Sequence, residues 1–408
     1  MQTTPGAAAH AVAWGNHMTL ADLVAVFDHW LHLPDHGPLY AVLGAVAANH
    51  MPGDPVWVML IAPPSSGKTE ILQAFTGLPR VFPTATLNEA ALLSGTPRKE
   101  RDTGATGGLL NELGEFGIIV CKDFTSVVSM APEARKAVLA ALREIYDGRW
   151  TRRLGSGGGM SLDWKGKVGL LAGCTHVIDS AHAVTSAMGE RFIQYRMSLV
   201  SEDDEAAQAQ SALARRQREE EMRAALADAV STFFAELPLP STAPMLTDDE
   251  TSRLGALAKL VARSRSAVER DGYHRHIESV PPPEVSIRLL LSLKGLFSGL
   301  LAIRLLRDTA WEIVVRAGFD SIPGLRGSVL QMLIAAGGAL LSTQALADQT
   351  RCSPTAVRRA LEDLEAHGIV AQERGAGRAA SRWGLTEWAW TQYEAAIGCV
   401  PAISGDAA

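Results

Sequence analysis

Cysteine is scarce in this chain. Only Cys121, Cys174, Cys352 and Cys399 occur in 408 residues, and no two form a C-x-x-C pair. That spacing argues against a disulfide scaffold or a paired-thiolate metal site, and it fits reduced residues of a cytoplasmic protein. An excess of positive charge is missing too. The net charge is −6, so any nucleic-acid contact has to come from local patches. The most apolar long stretch, residues 289–306, is broken by Lys294 and Arg304 and falls short of a membrane span. The first residues lack a basic start followed by an apolar run, so no signal peptide is expected. No internal repeat is visible. The remainder is ordinary for a folded protein, 47% apolar and 20% charged, with length for two or three domains.

Histidines cluster without completing a metal set. His29 and His32 stand three apart, but Pro34 breaks the helix before His36, and His274 and His276 lie far away. No cysteine or carboxylate completes a zinc set with them, so exposed helix and loop positions are expected. The charge run at residues 218–221 reads as a solvated helix face.

The most informative segment is Ala62-Pro-Pro-Ser-Ser-Gly-Lys-Thr69. It follows an apolar run at residues 56–61 and opens into a helix-compatible stretch at residues 70–75. Strand, tight loop and helix with Gly-Lys-Thr at its first turn is the setting of a phosphate-binding loop. Backbone N–H groups at Ser66, Gly67, Lys68 and Thr69 would face the phosphates of ATP, aided by the helix dipole. Lys68 would reach the β- and γ-phosphates, and the Thr69 hydroxyl would hold Mg²⁺. Ala62 stands where the consensus has its first glycine, which adds only a methyl group.

Two further strand-like runs end in polar residues. Residues 117–121 empty into Lys122-Asp123, where nucleotide hydrolases usually carry two acids. Either Asp123 is the metal ligand and the water-activating acid is missing, or Asp123 is the base and Lys122 replaces the ligand. Residues 168–174 end at Thr175, whose hydroxyl is suited to orient a water near the γ-phosphate. Arg191, in Met188-Gly-Glu-Arg191, is placed to act on the γ-phosphate of a neighbouring subunit. Helical stretches separate these strands, notably residues 131–146, so a mainly parallel sheet covered on both faces is expected.

This set, in this order, resembles the AAA+ ATPases, including the proline pair Pro63-Pro64 in the phosphate loop. Within them it is similar to the clade with a β-hairpin before sensor 1, which includes the minichromosome-maintenance helicases. Residues 107–117, the strand to Asp123-Phe124 and a helix at residues 137–149 follow that pattern, and the hairpin would occupy residues 150–164 around a Gly-rich tip. The resemblance implies that Thr175 is sensor 1, Arg191 the arginine finger and Arg288 a sensor 2 residue. It covers roughly residues 40–305. The chain also resembles ATP-binding proteins common among actinobacteria.

Residues 328–386 have a different grammar. Helices are expected at residues 328–336, 343–350 and 353–367, the last capped by Ser353 with Pro354 at its first turn and Gly368 at its end. Val357, Leu361 and Leu364 form its apolar stripe, and Thr355, Arg358 and Arg359 fall outside that stripe. Residues 369–374 and 381–386 read as strands around a turn, so the segment resembles the winged helices of bacterial transcription regulators, with the third helix suited to the major groove. Arg358 and Arg359 would contact bases or phosphates, and Arg374, Arg378 and Arg382 would line the wing. Glu362, Asp363, Glu365 and Glu373 offset that charge, and winged helices also serve as protein-binding modules.

The expected fold is therefore α/β, an AAA+-like P-loop parallel sheet with a helical lid, followed by a C-terminal winged helix-turn-helix domain. N-terminal helices are placed at residues 1–50, after a frayed leader at 1–17, the ATPase core at 51–200 and a helical linker and lid at 201–325. The winged helix follows at 326–392 and a flexible tail at 393–408. Within the lid, helices are expected at residues 248–270 and 284–307. Two functions follow. One is an oligomeric, DNA-linked ATPase using ATP and Mg²⁺, supported also by Arg152 and Arg153 on the hairpin. The other is a nucleotide-gated DNA-binding regulator with slow or no hydrolysis. A small-molecule kinase fits less well, because nothing reads as a lid over an acceptor substrate.

Overall fold

The computed structural model describes residues 17–94, 107–153, 161–180, 191–197, 201–373 and 381–398. Among the described residues two helices come first, α1 (Leu20–Trp30) and α2 (Gly37–His50). Thr19 caps α1: its hydroxyl accepts from the Asp22 N–H at 3.2 Å, and the Asp22 carboxylate accepts from the Thr19 N–H at 2.9 Å. These reciprocal bonds satisfy N–H groups that no helical carbonyl reaches. α2 has almost no polar face and is buried nearly throughout, as a helix held between layers must be.

The first strand and its loop follow as β1 (Trp57–Ile61) and α3 (Lys68–Gln73), then β2 (Val81–Thr84), α4 (Glu89–Leu92) and α5 (Leu109–Leu113). β3 (Phe116–Cys121), α6 (Thr125–Val128) and α7 (Pro132–Tyr146) lead to a hairpin, β4 (Arg149–Arg153) and β5 (Ser161–Lys165). β6 (Lys167–Cys174), α8 (Val177–Ser180) and β7 (Phe192–Arg196) complete this part. Among the described residues, five of these strands form a parallel sheet in the order β2-β3-β6-β1-β7. Every β1 side chain is buried. Val58 and Leu60 join the core built on α1 and α2, whereas Trp57, Met59 and Ile61 join the core built on α7. A parallel sheet buried on both faces requires such an unbroken apolar run.

Next come α9 (Glu202–Arg215), α10 (Glu219–Glu236), α11 (Asp248–Arg265), the short hairpin β8 (Glu269–Arg270) and β9 (Ile277–Ser279), α12 (Ile287–Ala302) and α13 (Arg307–Asp320). The helix expected at residues 248–270 thus stops at Arg265, and Arg270 lies on a strand. The helix expected to reach residue 307 stops at Ala302, and Arg307 begins the next one. α2 and α12 cross in backbone contact. A Cβ on Gly299 would lie 1.9 Å from the Gly44 carbonyl oxygen, so only glycine permits this approach.

The C-terminal module comprises α14 (Gly324–Ala335), β10 (Leu341–Ser342), α15 (Thr343–Thr350), α16 (Pro354–Ala366), β11 (Val370–Glu373), β12 (Arg382–Leu385) and α17 (Glu387–Ile397). Its antiparallel sheet has the order β10-β12-β11. Ser353 caps α16, and Gly368 beyond its end has φ 70°. α17 runs past residue 392, which corrects the flexible tail expected from residue 393. The cause is tertiary: Arg253 on α11 donates to the carbonyls of Ala396 and Ile397 at 3.3 and 2.8 Å, and Arg263 stacks on Trp388 at 4.1 Å. Among the described residues, no helix is long and apolar enough to cross a membrane.

Candidate functional site

β1 delivers the phosphate loop. The Ala62 N–H still donates to the Cys174 carbonyl of β6 at 3.2 Å, and its φ is not positive, so the missing glycine introduces no strain. The loop then turns sharply. Ser65 at φ 64° and Gly67 at φ 83° both occupy the left-handed region. The Pro63 carbonyl accepts from Ser66 Oγ at 2.8 Å and from Lys68 Nζ at 2.9 Å, so the lysine is folded back into its own loop. Burial pushes the Lys68 ammonium below the usual lysine range, and Cys174 and the Asp123 carboxylate act against that shift. Thr69 is exposed.

The parallel register brings the other two residues alongside. Ile61 at the end of β1 pairs with Cys174 of β6, and Cys121 of β3 pairs with Ala172. Thr175 therefore leaves the sheet between Lys68 and Asp123. The Phe124 N–H donates to the Gly173 carbonyl at 2.7 Å, and a Cβ on Gly173 would lie 2.6 Å from the Lys122 oxygen. Asp123 is exposed, with Oδ1 accepting from the Thr125 N–H at 3.0 Å. The Thr125 hydroxyl accepts from the Thr175 N–H at 3.2 Å and lies 3.5 Å from its hydroxyl, tying the two strand ends together. Lys122 reaches Gln73 at 3.4 Å. Beneath them burial pushes Cys121 up to about 12 and raises Cys174, so both thiols stay protonated.

Sequence reasoning missed what closes over this loop. A cleft of 270 Å³ above residues 65–70 is lined by Leu31, Met222, Arg215 and Arg223. Arg223 holds Glu70 through two bonds of 3.0 and 3.1 Å. Arg215 donates to the Ser211 carbonyl at 2.8 Å and to the Trp30 carbonyl. A charged helix in the sequence gives no sign of such a position; only the return of α9 and α10 to α3 creates it.

Arg191 and Arg288 lie elsewhere. Arg191 directly precedes β7, whose first residue Phe192 pairs with Trp57 at the start of β1, so it sits at the opposite end of the sheet from Lys68. Its buried guanidinium donates twice to Asp147, at 3.0 and 3.1 Å, and lies over the Tyr146 ring. Arg288 lines a 630 Å³ cleft at that same end with Asp54, Tyr146, Asp147 and Lys167. Neither arginine converges with the phosphate loop of its own chain. Beside Arg288, Val285 and Ile287 are 70% and 61% exposed.

On the C-terminal module Thr355, Arg358 and Arg359 are exposed on α16, opposite the buried Val357, Leu361 and Leu364. Arg374 and Arg378 lie outside the described residues. Two of the four acids expected to offset the arginines are engaged: Asp363 by Arg270 and Arg326, each at 2.7 Å, and Glu362 by Arg270 at 3.1 Å and by Arg358 at 3.3 Å. Arg152 of the hairpin donates to the Leu93 carbonyl at 2.5 Å and to the Glu89 carbonyl at 3.4 Å. His32 and His36 pair with different carboxylates, Asp204 and Asp28.

Residues 326–377 match the family of HTH domains. Among curated proteins no sequence relative matches. Solved structures similar to the chain include the following two. The active helicase Cch of SCCmec type IV is 11% identical, with a TM-score of 0.36 over 92% of this chain and 72% of that one. The Aeropyrum pernix ORC1 protein in complex with DNA is 16% identical, with a TM-score of 0.26 over 90% of this chain and 95% of that one. With both TM-scores below 0.5, these likenesses do not fix the fold. The chain is a mixed α/β protein with a parallel sheet and a C-terminal HTH domain.

Proposed function

We propose that this chain is an AAA+-like ATPase, linked to DNA through its C-terminal HTH domain and active as a homo-oligomer. The observation that carries this reading is the alignment of Lys68-Thr69, Thr175 and Asp123 at the ends of three neighbouring strands, β1, β6 and β3. The donor set fits Mg²⁺ and ATP: a left-handed loop, a lysine, a hydroxyl and one exposed carboxylate. Bound there, Mg²⁺ and ATP supply the phosphoanhydride and the cation that neutralises it. Lys68 releases the Pro63 carbonyl and places its charge on the β- and γ-phosphates. Thr69 offers its hydroxyl to the metal. Asp123 serves as metal ligand or as acceptor of the water proton, and Thr175 orients that water. Arg215 and Arg223 place two further cations over the loop.

Arg191 and Arg288 fit a contribution in trans, since both stand at the end of the sheet away from their own loop. The exposed Val285 and Ile287 beside them suit burial by a second copy. On α16, the exposed Thr355, Arg358 and Arg359 are offered to duplex DNA. The pairing of Glu362 and Asp363 with Arg270 and Arg326 offsets part of the acidic charge on α16, while Glu362 also holds Arg358 at 3.3 Å and Glu365 is exposed.

A nucleotide-gated DNA-binding regulator is the second reading, favoured by Lys122. A cation bonded to Gln73 stands where a second carboxylate would assist hydrolysis. ATP turnover with and without duplex DNA separates the two. Stimulated turnover supports the ATPase, and nucleotide-altered DNA binding without turnover supports the regulator.

A further inference from the structure

Between α11 and α12 the chain makes an excursion that neither function uses. β8 and β9 pair antiparallel, Glu269 with Ser279 and Arg270 with Ile277. The turn between them is built on Asp271. Its N–H donates to the His276 carbonyl at 3.0 Å. Its carboxylate accepts from the N–H groups of Tyr273 at 2.9 Å, His274 at 2.5 Å and His276 at 2.6 Å. Desolvation raises this carboxyl, but those backbone bonds outweigh it and hold it below the usual aspartate value. Arg275 takes the left-handed conformation at φ 61°. A turn satisfied by its own backbone leaves its side chains to solvent. Residues 272–280 are all exposed, Tyr273 at 88%, with the His274 ring edge-on to it at 4.7 Å.

The hairpin is fastened to α16, the third helix of the HTH domain. The buried Arg270 donates to Asp363 at 2.7 and 3.0 Å, to Glu362 at 3.1 Å and to the Arg359 carbonyl at 3.0 Å. It also donates to the Arg275 carbonyl at 2.6 Å. One guanidinium thus joins the turn directly to α16. Arg275 shares a cleft wall with Ala356 and Arg359, in the first half of α16. In helix-turn-helix proteins that half meets the base edges, and the elements beside it lie over the phosphates.

We propose that the turn Tyr273 to His276 is a second contact with duplex DNA, set on the phosphate backbone beside the groove that α16 enters. Arg275 supplies a charged two-pronged donor, Tyr273 a hydroxyl, and His274 and His276 ring N–H groups. The acid within the turn, Asp271, is occupied by backbone N–H groups, and Glu278 lies beyond it on β9. The proposal rests on the DNA-linked reading above and adds an element outside the matched residues 326–377.

The test is fluorescence anisotropy of the full chain with a labelled mixed-sequence duplex across a salt series. It compares Arg275→Asn, which suits a left-handed backbone, Tyr273→Ala and Arg358→Ala. Nucleotide binding by each variant reports that it is folded. Arg275→Asn is expected to weaken DNA binding about tenfold, as loss of one charge-assisted bond does. It should also flatten the slope of log affinity against log salt by about 0.9. Tyr273→Ala should weaken binding less, with the slope unchanged. If Arg358→Ala weakens binding while both turn variants bind as the parent does, the second contact is overturned and the DNA-linked reading stands. If the parent chain binds no duplex, both fall. Turn variants that lose self-association at unchanged DNA affinity identify a protein contact instead and overturn the proposal.

Discussion

Arg191 is locked to Asp147 by two hydrogen bonds of 3.0 and 3.1 Å, at the end of the sheet opposite Lys68. Its side chain is 6% exposed and that of Asp147 54%, so the partner on the accessible side is the carboxylate. To act on a neighbour's nucleotide the guanidinium must leave that carboxylate. Arg191→Ala is therefore expected to cut ATP turnover by about 10³-fold or more while nucleotide affinity stays unchanged. Asp147→Asn loosens the hold by about 1 kcal/mol and should raise turnover severalfold at low protein concentration. Steady-state rates against protein concentration check both.

Lys68 and Asp123 separate binding from cleavage. A saturating nucleotide at about 100 times its Kd stabilises a protein by about 2.7 kcal/mol. The parent chain and Asp123→Asn should both show that thermal shift with ATP, and Lys68→Ala should not. Turnover by Asp123→Asn should fall about 10²–10⁴-fold if it is the base.

Glu250 makes stability depend on acid pH. The Arg307 side chain beside it, against the cost of burial and with help from the Thr247 N–H, lowers its carboxyl from 4.5 to about 2. A carboxyl held low in the folded state stabilises fully above the unfolded value and loses that contribution as pH falls toward the folded one. The contribution is about 3 kcal/mol, present above about pH 4.5 and lost between there and about pH 2. Urea denaturation of the parent chain and Glu250→Gln at stepped pH should show a gap that closes over that window.

Gly299 holds α2 against α12. A methyl group there would lie 1.9 Å from the Gly44 oxygen, so the two helices must separate. Gly299→Ala is expected to cost about 3 kcal/mol or more, the upper range for overpacking, seen as a lowered midpoint in thermal unfolding.

β1, β3 and β6 were legible because each is an unbroken apolar run, and Lys68, Asp123 and Thr175 follow from their ends. β2 was not: four residues with Pro83 among them carry no strand period. Thr343 to Thr350 and the Ser353 cap read true because helix starts carry local signals. The β8–β9 hairpin has no such signal, since Tyr273, His274, Arg275 and His276 show no alternation, and Asp271 builds the turn through its carboxylate. Arg223 and Glu70 are 153 residues apart, and the place of Arg288 depends on which end of the sheet α12 starts from. Both are products of tertiary packing that no local pattern encodes.

ATP turnover by the full chain, with and without duplex DNA and over a range of protein concentrations, tests the central claim most directly. The account predicts turnover that DNA stimulates, that Lys68→Ala abolishes, and that rises per subunit with concentration. Turnover indifferent to DNA and to concentration would contradict it.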